Sequence, residues 1–205
     1  MPTIFCLIIL FCIWLTYERK KHTKMEEDAK EAFFELEKKA SIARKKDISN
    51  LDYITIPLTS LPLTRGTDET INGYIDSLYA ISERPIVNLS KFSNTELKLA
   101  YGIANFEQLS EYDENYYTLT MLLSKWGSAL FEKKKLSEAR TVLEYALSIG
   151  TDLSSSIYTL ASLYAELEDE EGFSLLRSHI LTHCPNRSET MLAQLEKLRY
   201  YPYLA

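Results

Sequence analysis

Three residues near the C-terminus have the types and spacing for metal chemistry: His179, His183 and Cys184. Histidines four apart share one helix face, and a thiolate after the second could supply a third ligand of a tetrahedral zinc site. No fourth ligand lies within reach. His183 also falls where a helix is expected to end, and a cationic side chain there suits the helix dipole. Cys184 as a nucleophile has no activating base beside it. The run Ser154-Ser155-Ser156 could hold a reactive hydroxyl, but with Asp152 just before it the run matches a helix N-terminus. Glu166, Glu168, Asp169, Glu170 and Glu171 could collect a cation, yet they straddle a turn between helices, lack an EF-hand loop and read as a solvated acidic edge. No phosphate-binding loop, nucleophile elbow or HExxH pattern occurs. These residues predict no enzyme, no metal and no cofactor.

The elements around these residues repeat with a period of 34. One unit runs from Thr120 to Leu153 and the next from Ser154 to Arg187. In the first, Leu123, Trp126, Gly127, Leu130, Leu136, Ala139, Leu143, Ala146 and Leu147 mark two helical stripes. The matching places in the second hold Ile157, Leu160, Ala161, Tyr164, Glu170, Phe173, Arg177, Ile180 and Leu181, and Pro185 stands near its end.

This pattern resembles the tetratricopeptide repeat (TPR) family over residues 120–187. The resemblance implies antiparallel helix pairs packed through Trp126, Gly127, Ala139, Ala146, Ala161 and Tyr164. Small Gly127 and Ala139 would let the first pair approach, and Ala146 would seat the next repeat. Glu170, Phe173 and Arg177 depart from the pattern, so the second pair is expected to be splayed or irregular. Residues 188–200, with Met191, Leu192, Leu195 and Leu198 on one face, supply a capping helix. The register puts Met121, Ser124, Ser128, Phe131, Ser155, Tyr158, Ser162 and Ala165 on the concave side as a candidate protein-binding groove. Chaperone-tail binders of the family carry Lys and Asn there, and this chain has neither. A neutral groove with Phe131 and Tyr158 suits an apolar helix or an extended peptide, or the chain's own Ile54–Leu63 segment.

Residues 1–17 contain no charged side chain, and Ile4 to Leu15 is almost wholly apolar. Seventeen helical residues reach roughly 25 Å, the low end for a span. A cleaved signal would carry a basic start and a small-residue cleavage site, and a soluble core helix would show a polar face. Neither is present, so residues 1–17 are expected to be a transmembrane anchor in a lipid bilayer. Arg19, Lys20, Lys21 and Lys24 follow the apolar run and nothing basic precedes it. The positive-inside rule then puts the N-terminus outside and the rest of the chain in the cytoplasm, a single-pass cell-membrane topology. Trp14 and Tyr17 suit the interface. Only Cys184 lies beyond the anchor, where it has no partner for an intramolecular bridge, as a reducing compartment favours.

Residues 18–48 are rich in Lys, Glu and Ala, with Met25, Ala29, Ala32, Leu36, Ala40 and Ala43 along one face. They read as a charged helical stalk. A parallel coiled coil giving a homodimer is the weaker alternative, because the stripe is short and mostly alanine. Residues 49–66 are β-branched and carry Pro57 and Pro62, which favours an extended segment burying alternate side chains. A helical domain then fills 67–205. Thr67 is a candidate N-cap for a stripe at Ile71, Tyr74, Ile75 and Leu78, closed by Glu83-Arg84-Pro85, and Ser93 with Glu96 has capping-box spacing before a helix ending at Gly102.

The whole order of features is similar to small membrane-anchored proteins of anaerobic Gram-positive bacteria. The carrying stretches are Asn50 to Pro57, Ile86 to Leu89 and Ser93 to Gly102. That resemblance implies no function. Net charge is −6 with no large basic block, which argues against nucleic acid as a partner. The expected class is all-α, a membrane-anchored TPR-like scaffold or adaptor for an unidentified protein partner. The alternative is a structural subunit of a membrane complex whose groove is permanently occupied.

Overall fold

The computed structural model describes residues 2–200, with side chains from Ile9 onward. Among the described residues the chain is all-α, with eight α-helices, two short 3-10 turns and a single antiparallel bridge between Tyr53 and Val87. The helices are α1 (Pro2–Ser41), α2 (Glu69–Ser82), α3 (Asn94–Tyr101), α4 (Phe106–Glu132), α5 (Leu136–Ser148), α6 (Ser154–Glu166), α7 (Glu170–His183) and α8 (Ser188–Tyr200). They group into two compact units, Met1–Ser49 with Phe92–Glu107, and Asn50–Lys91 with Gln108–Ala205.

The first unit is built on α1, a single run of 40 helical residues. No Gly or Pro interrupts the sequence from Thr3 to Ile56, and Ala, Lys and Glu are strong helix formers. Among the described residues no helix is long and apolar enough to cross a membrane. Residues 1–8, half of the expected anchor, have side chains outside the described residues. The stalk is solvent-exposed through most of its length, Phe33 and Phe34 included, until Ala40 is buried. There α1 packs against α3. Glu37 of α1 accepts a hydrogen bond from Thr95 and pairs with Lys98. Ser93 and Glu96 form a reciprocal capping box at the start of α3. Gly102 ends α3 with φ +89°, and a Cβ there would lie 2.7 Å from Lys45 Cα. The chain after α1 is held against this turn: Lys46 N–H donates to Tyr101 O at 3.0 Å, and Asn105 Nδ2 donates to Lys46 O and Tyr101 O. The α3 segment therefore groups with the end of the stalk, whereas the sequence pattern assigns it to the 67–205 helical domain.

The second unit begins with the extended segment. Ile56 is buried and Ile54 half-buried, while Tyr53 and Thr55 are exposed, as a period of two requires; Pro57 and Leu58 are then both half-buried. A turn closed by Ser60 N–H to Pro57 O resets the alternation, and Leu61 is buried next. Ile54 N–H donates to Ile86 O at 2.9 Å. Ile56 and Leu61 enter the same buried cluster as Ile71, Ile75 and Leu78 of α2. The N-cap of α2 is Asp68 rather than Thr67: its carboxylate accepts from Thr70 N and Ile71 N and pairs with Lys133. A carboxylate directly before the first helical residue suits the positive end of the dipole better than a hydroxyl one place earlier. The hydrogen bond from Lys133 holds the Asp68 carboxyl below its usual range.

Helices α4 to α8 continue this core through Leu123, Trp126, Leu130, Val142, Leu143, Leu160, Leu176, Leu195 and Leu198. α6 packs against α5, α7 and α8, and α8 also packs against α7. Leu136 and Glu170, which open α5 and α7, are 34 residues apart, as are Ser154 and Ser188, which open α6 and α8.

Candidate interaction surface

Trp126, Ala139, Ala146 and Ala161 are fully buried and Tyr164 nearly so, and all belong to the one core cluster. A Cβ on Gly127 would come within 2.5 Å of Leu143 Cγ, so α4 and α5 approach at a Gly–Leu contact. In the second pair the close approach falls one residue before the expected place. Gly172 lies under the Tyr164 ring, where a Cβ would sit 2.7 Å from the ring carbons, and Phe173 packs beside that ring at 6.4 Å between centroids.

The polar departures of the second unit have partners. Glu170 pairs with Arg199, and Arg177 with Glu196 at 3.5 Å, so both face α8 along the exposed rim of the α7–α8 seam. Tyr164 O–H donates to Glu144 Oε1 at 2.9 Å, and Arg140 Nε donates to the same oxygen at 2.7 Å. Arg140 also pairs with Asp169 at 2.9 Å, and Asp169 caps α7 by accepting from Gly172 N–H. One cation thus ties α5 to the α6–α7 turn. Burial and the Glu144 carboxylate push the Tyr164 phenol well above its usual range.

The expected groove is narrower than its register suggests. Ser124 is buried with its Oγ 2.7 Å from Ser155 Oγ, and Ser128 is half-buried with its Oγ 3.2 Å from Thr159 Oγ1. These two rungs join α4 to α6, so both serines are seam residues and not open lining. Ser162 is fully buried too. Met121, Phe131, Tyr158 and Ala165 are half-buried, Ser155 is exposed, and Phe131, Tyr158 and Ala165 pack against the core. Lys134 Nζ stands 5.4 Å from the Phe131 ring centroid and pairs with Glu166 at 2.8 Å. Among these groove residues the accessible surface is therefore largely apolar, with Ser155 exposed on it and the Lys134–Glu166 pair beside it. Thr159 was not evident in advance, since a single threonine in a helical stripe carries no signal. Gly172 carries a signal that the 34-residue register passes over in favour of Phe173: a glycine inside a helix costs about 1 kcal/mol and calls for a packing reason.

His179, His183 and Cys184 converge on the α5–α6 loop. The two imidazoles stack at 4.4 Å, and His179 Nε2 lies 2.6 Å from Thr151 O. Cys184 is buried, with Sγ 3.9 Å from Asp152 O. Arg187 donates to Asp152 O at 2.9 Å and Tyr116 O–H to Ile149 O at 3.2 Å. Gly150 turns the loop with φ +83°, and a Cβ there would meet His183 at 3.1 Å. Side chains from three elements thus satisfy carbonyls that a loop would otherwise present to water. Burial lowers the His179 pKa; burial, then His179 and Lys91, lower that of His183; burial raises the Cys184 thiol. No group of three or more metal-capable side chains occurs among the described residues. Neither Asp152 nor Ser154, Ser155 or Ser156 caps α6 through a side chain; Leu153 holds the N-cap position, and Asp152 is taken by Arg187.

No family model matches the chain, and no curated protein or solved structure is significantly similar to it.

Proposed function

We propose that this chain is a membrane-tethered protein-interaction module, in which the apolar start of α1 enters a bilayer and a TPR-like helical stack binds a protein partner. The observation that supports the stack reading is the shared 34-residue register of α5 with α7 and α6 with α8. A stack of this kind presents a continuous helix face that binds by shape and apolar contact, without reacting groups. Phe131, Tyr158 and Ala165 offer half-buried apolar surface on that face. The partner is an apolar helix or extended peptide, and the domain faces the cytoplasm.

A photo-crosslinking residue at Ser155 of the full chain, exposed on this face, should give a protein adduct in cells. The same probe at exposed Glu171 on α7 should not. Adducts lost on adding excess unlabelled chain indicate an exchanging adaptor. Adducts that survive this and purify only with membrane subunits indicate the permanently occupied structural subunit. No adduct at Ser155 removes the binding face.

A further inference from the structure

We propose that Arg19, Lys20, Lys21 and Lys24 form a collar around α1 that selects anionic phospholipid headgroups. The inference rests on the membrane reading above and adds the lipid chemistry.

Ile9 to Leu15 are seven successive apolar residues in a continuous helix, all exposed. Successive residues lie about 100° apart, so seven of them cover the whole circumference. The four cations leave the axis in several directions as well. A helix lying flat on a bilayer would keep its cations on one stripe and its apolar residues on the other. A complete apolar band followed by cations spread over about 200° of the circumference suits a helix passing through the headgroup layer.

The distances agree. Trp14 and Tyr17 are exposed aromatics at the end of the apolar band, where interfacial aromatics settle. From Tyr17 the helix rises about 3 Å to Arg19 and about 10 Å to Lys24. The headgroup region of one leaflet is roughly 5 to 8 Å deep, so flexible Lys and Arg side chains at these heights meet lipid phosphates.

The collar is electrostatically unspent. Among the described residues none of the four cations has an ion-pair partner; Glu18 pairs with His22 at 3.7 Å. Glu27 and Asp28 follow one turn later and limit the basic band on the side away from the apolar run. Each basic residue near an anionic surface adds attraction, which salt weakens.

The test uses the full chain in vesicles of equimolar phosphatidylcholine and phosphatidylglycerol, with brominated chains on one lipid or the other. Trp14 is exposed and Trp126 fully buried, so lipid-borne bromine reads Trp14. Brominated phosphatidylglycerol should quench more than brominated phosphatidylcholine, with a local enrichment on the order of twofold to fivefold. High salt should remove the excess. So should the variant R19Q/K20Q/K21Q/K24Q, which keeps good helix formers at exposed positions. Equal quenching by the two lipids overturns the collar and leaves the membrane reading standing. An excess that the variant retains also overturns the collar. Absence of quenching by either lipid overturns both.

Discussion

Tyr164 lies over Gly172 so closely that a Cβ would stand 2.7 Å from the ring. The ring cannot retreat: it is buried, flanked by Phe173, and held at its hydroxyl by Glu144. Gly172→Ala should therefore lower stability by about 1–3 kcal/mol through overpacking, even though alanine is the better helix former. Gly73, inside α2 with no atom within 4 Å of a built Cβ, is the control. Gly73→Ala should raise stability by about 0.5–1 kcal/mol. Thermal melts that order the two variants the other way would contradict the packing of α6 on α7.

The α4–α5–α6 seams make a second pair of tests. Ala139 is fully buried, so Ala139→Leu should cost about 1–3 kcal/mol. Ser128→Leu should destabilise by a comparable amount, because Ser128 sits in the rung with Thr159 and not on an open wall. A Ser128→Leu protein that melts like the wild type would return this residue to the groove. Chemical denaturation of both variants decides it.

Acid should loosen the α5–α6 loop. In the folded chain burial depresses the pKa values of His179 and His183, and Lys91 adds to the effect on His183 while Asp152 opposes it. Above the ordinary histidine value of about 6.5 both states are neutral and stability is at its full level. As pH falls through that value the unfolded chain takes up protons first, so stability drops. Denaturation midpoints measured from pH 8 down to pH 5 should fall below about 6.5, and His179→Gln should flatten the decline. A midpoint that rises on acidification would show that these rings gain a proton more readily when folded.

Orientation needs an accessible reporter. Cys184 is buried, so its silence toward an external thiol reagent says nothing about topology. A cysteine at exposed Ser174, in a Cys184→Ala background, is suitable. In intact cells it should stay unlabelled by an impermeant maleimide and react after permeabilisation. Reaction without permeabilisation would put the helical domain outside.

Much of the architecture was legible because it depends on local chemistry. The capping box at Ser93 and Glu96, the stop at Gly102 and the 34-residue spacing of helix starts all follow from residues near one another in sequence. The neighbours across space were not legible. Periodicity places Ser124 and Ser128 on a helix face but does not say whether that face meets solvent or α6. The register points to Phe173 as a misfit, while the actual approach uses the glycine beside it. Gly102 reads as a simple stop, and only the fold reveals that residues 44–45 fill the space where its side chain would be. For the apolar start of α1 the structure speaks in part: no described helix is long and apolar enough to cross a membrane, and the side chains of residues 1–8 lie outside the described residues.

The unbroken course of α1 makes it a spacer of defined length. From Tyr17 to Ala40 the helix climbs about 35 Å, with no proline or glycine to serve as a hinge. If the collar sits at the lipid phosphates, the α3 contact at Ala40 is held at about that height above them. The length and the facing of this spacer are separable. Inserting seven residues near Ala29 adds about 10 Å of height and returns nearly the same face, since seven residues are close to two turns. Inserting two adds about 3 Å but swings the α3 contact through more than half a turn. Function that survives the first insertion and not the second depends on the direction of the α3 contact more strictly than on its height.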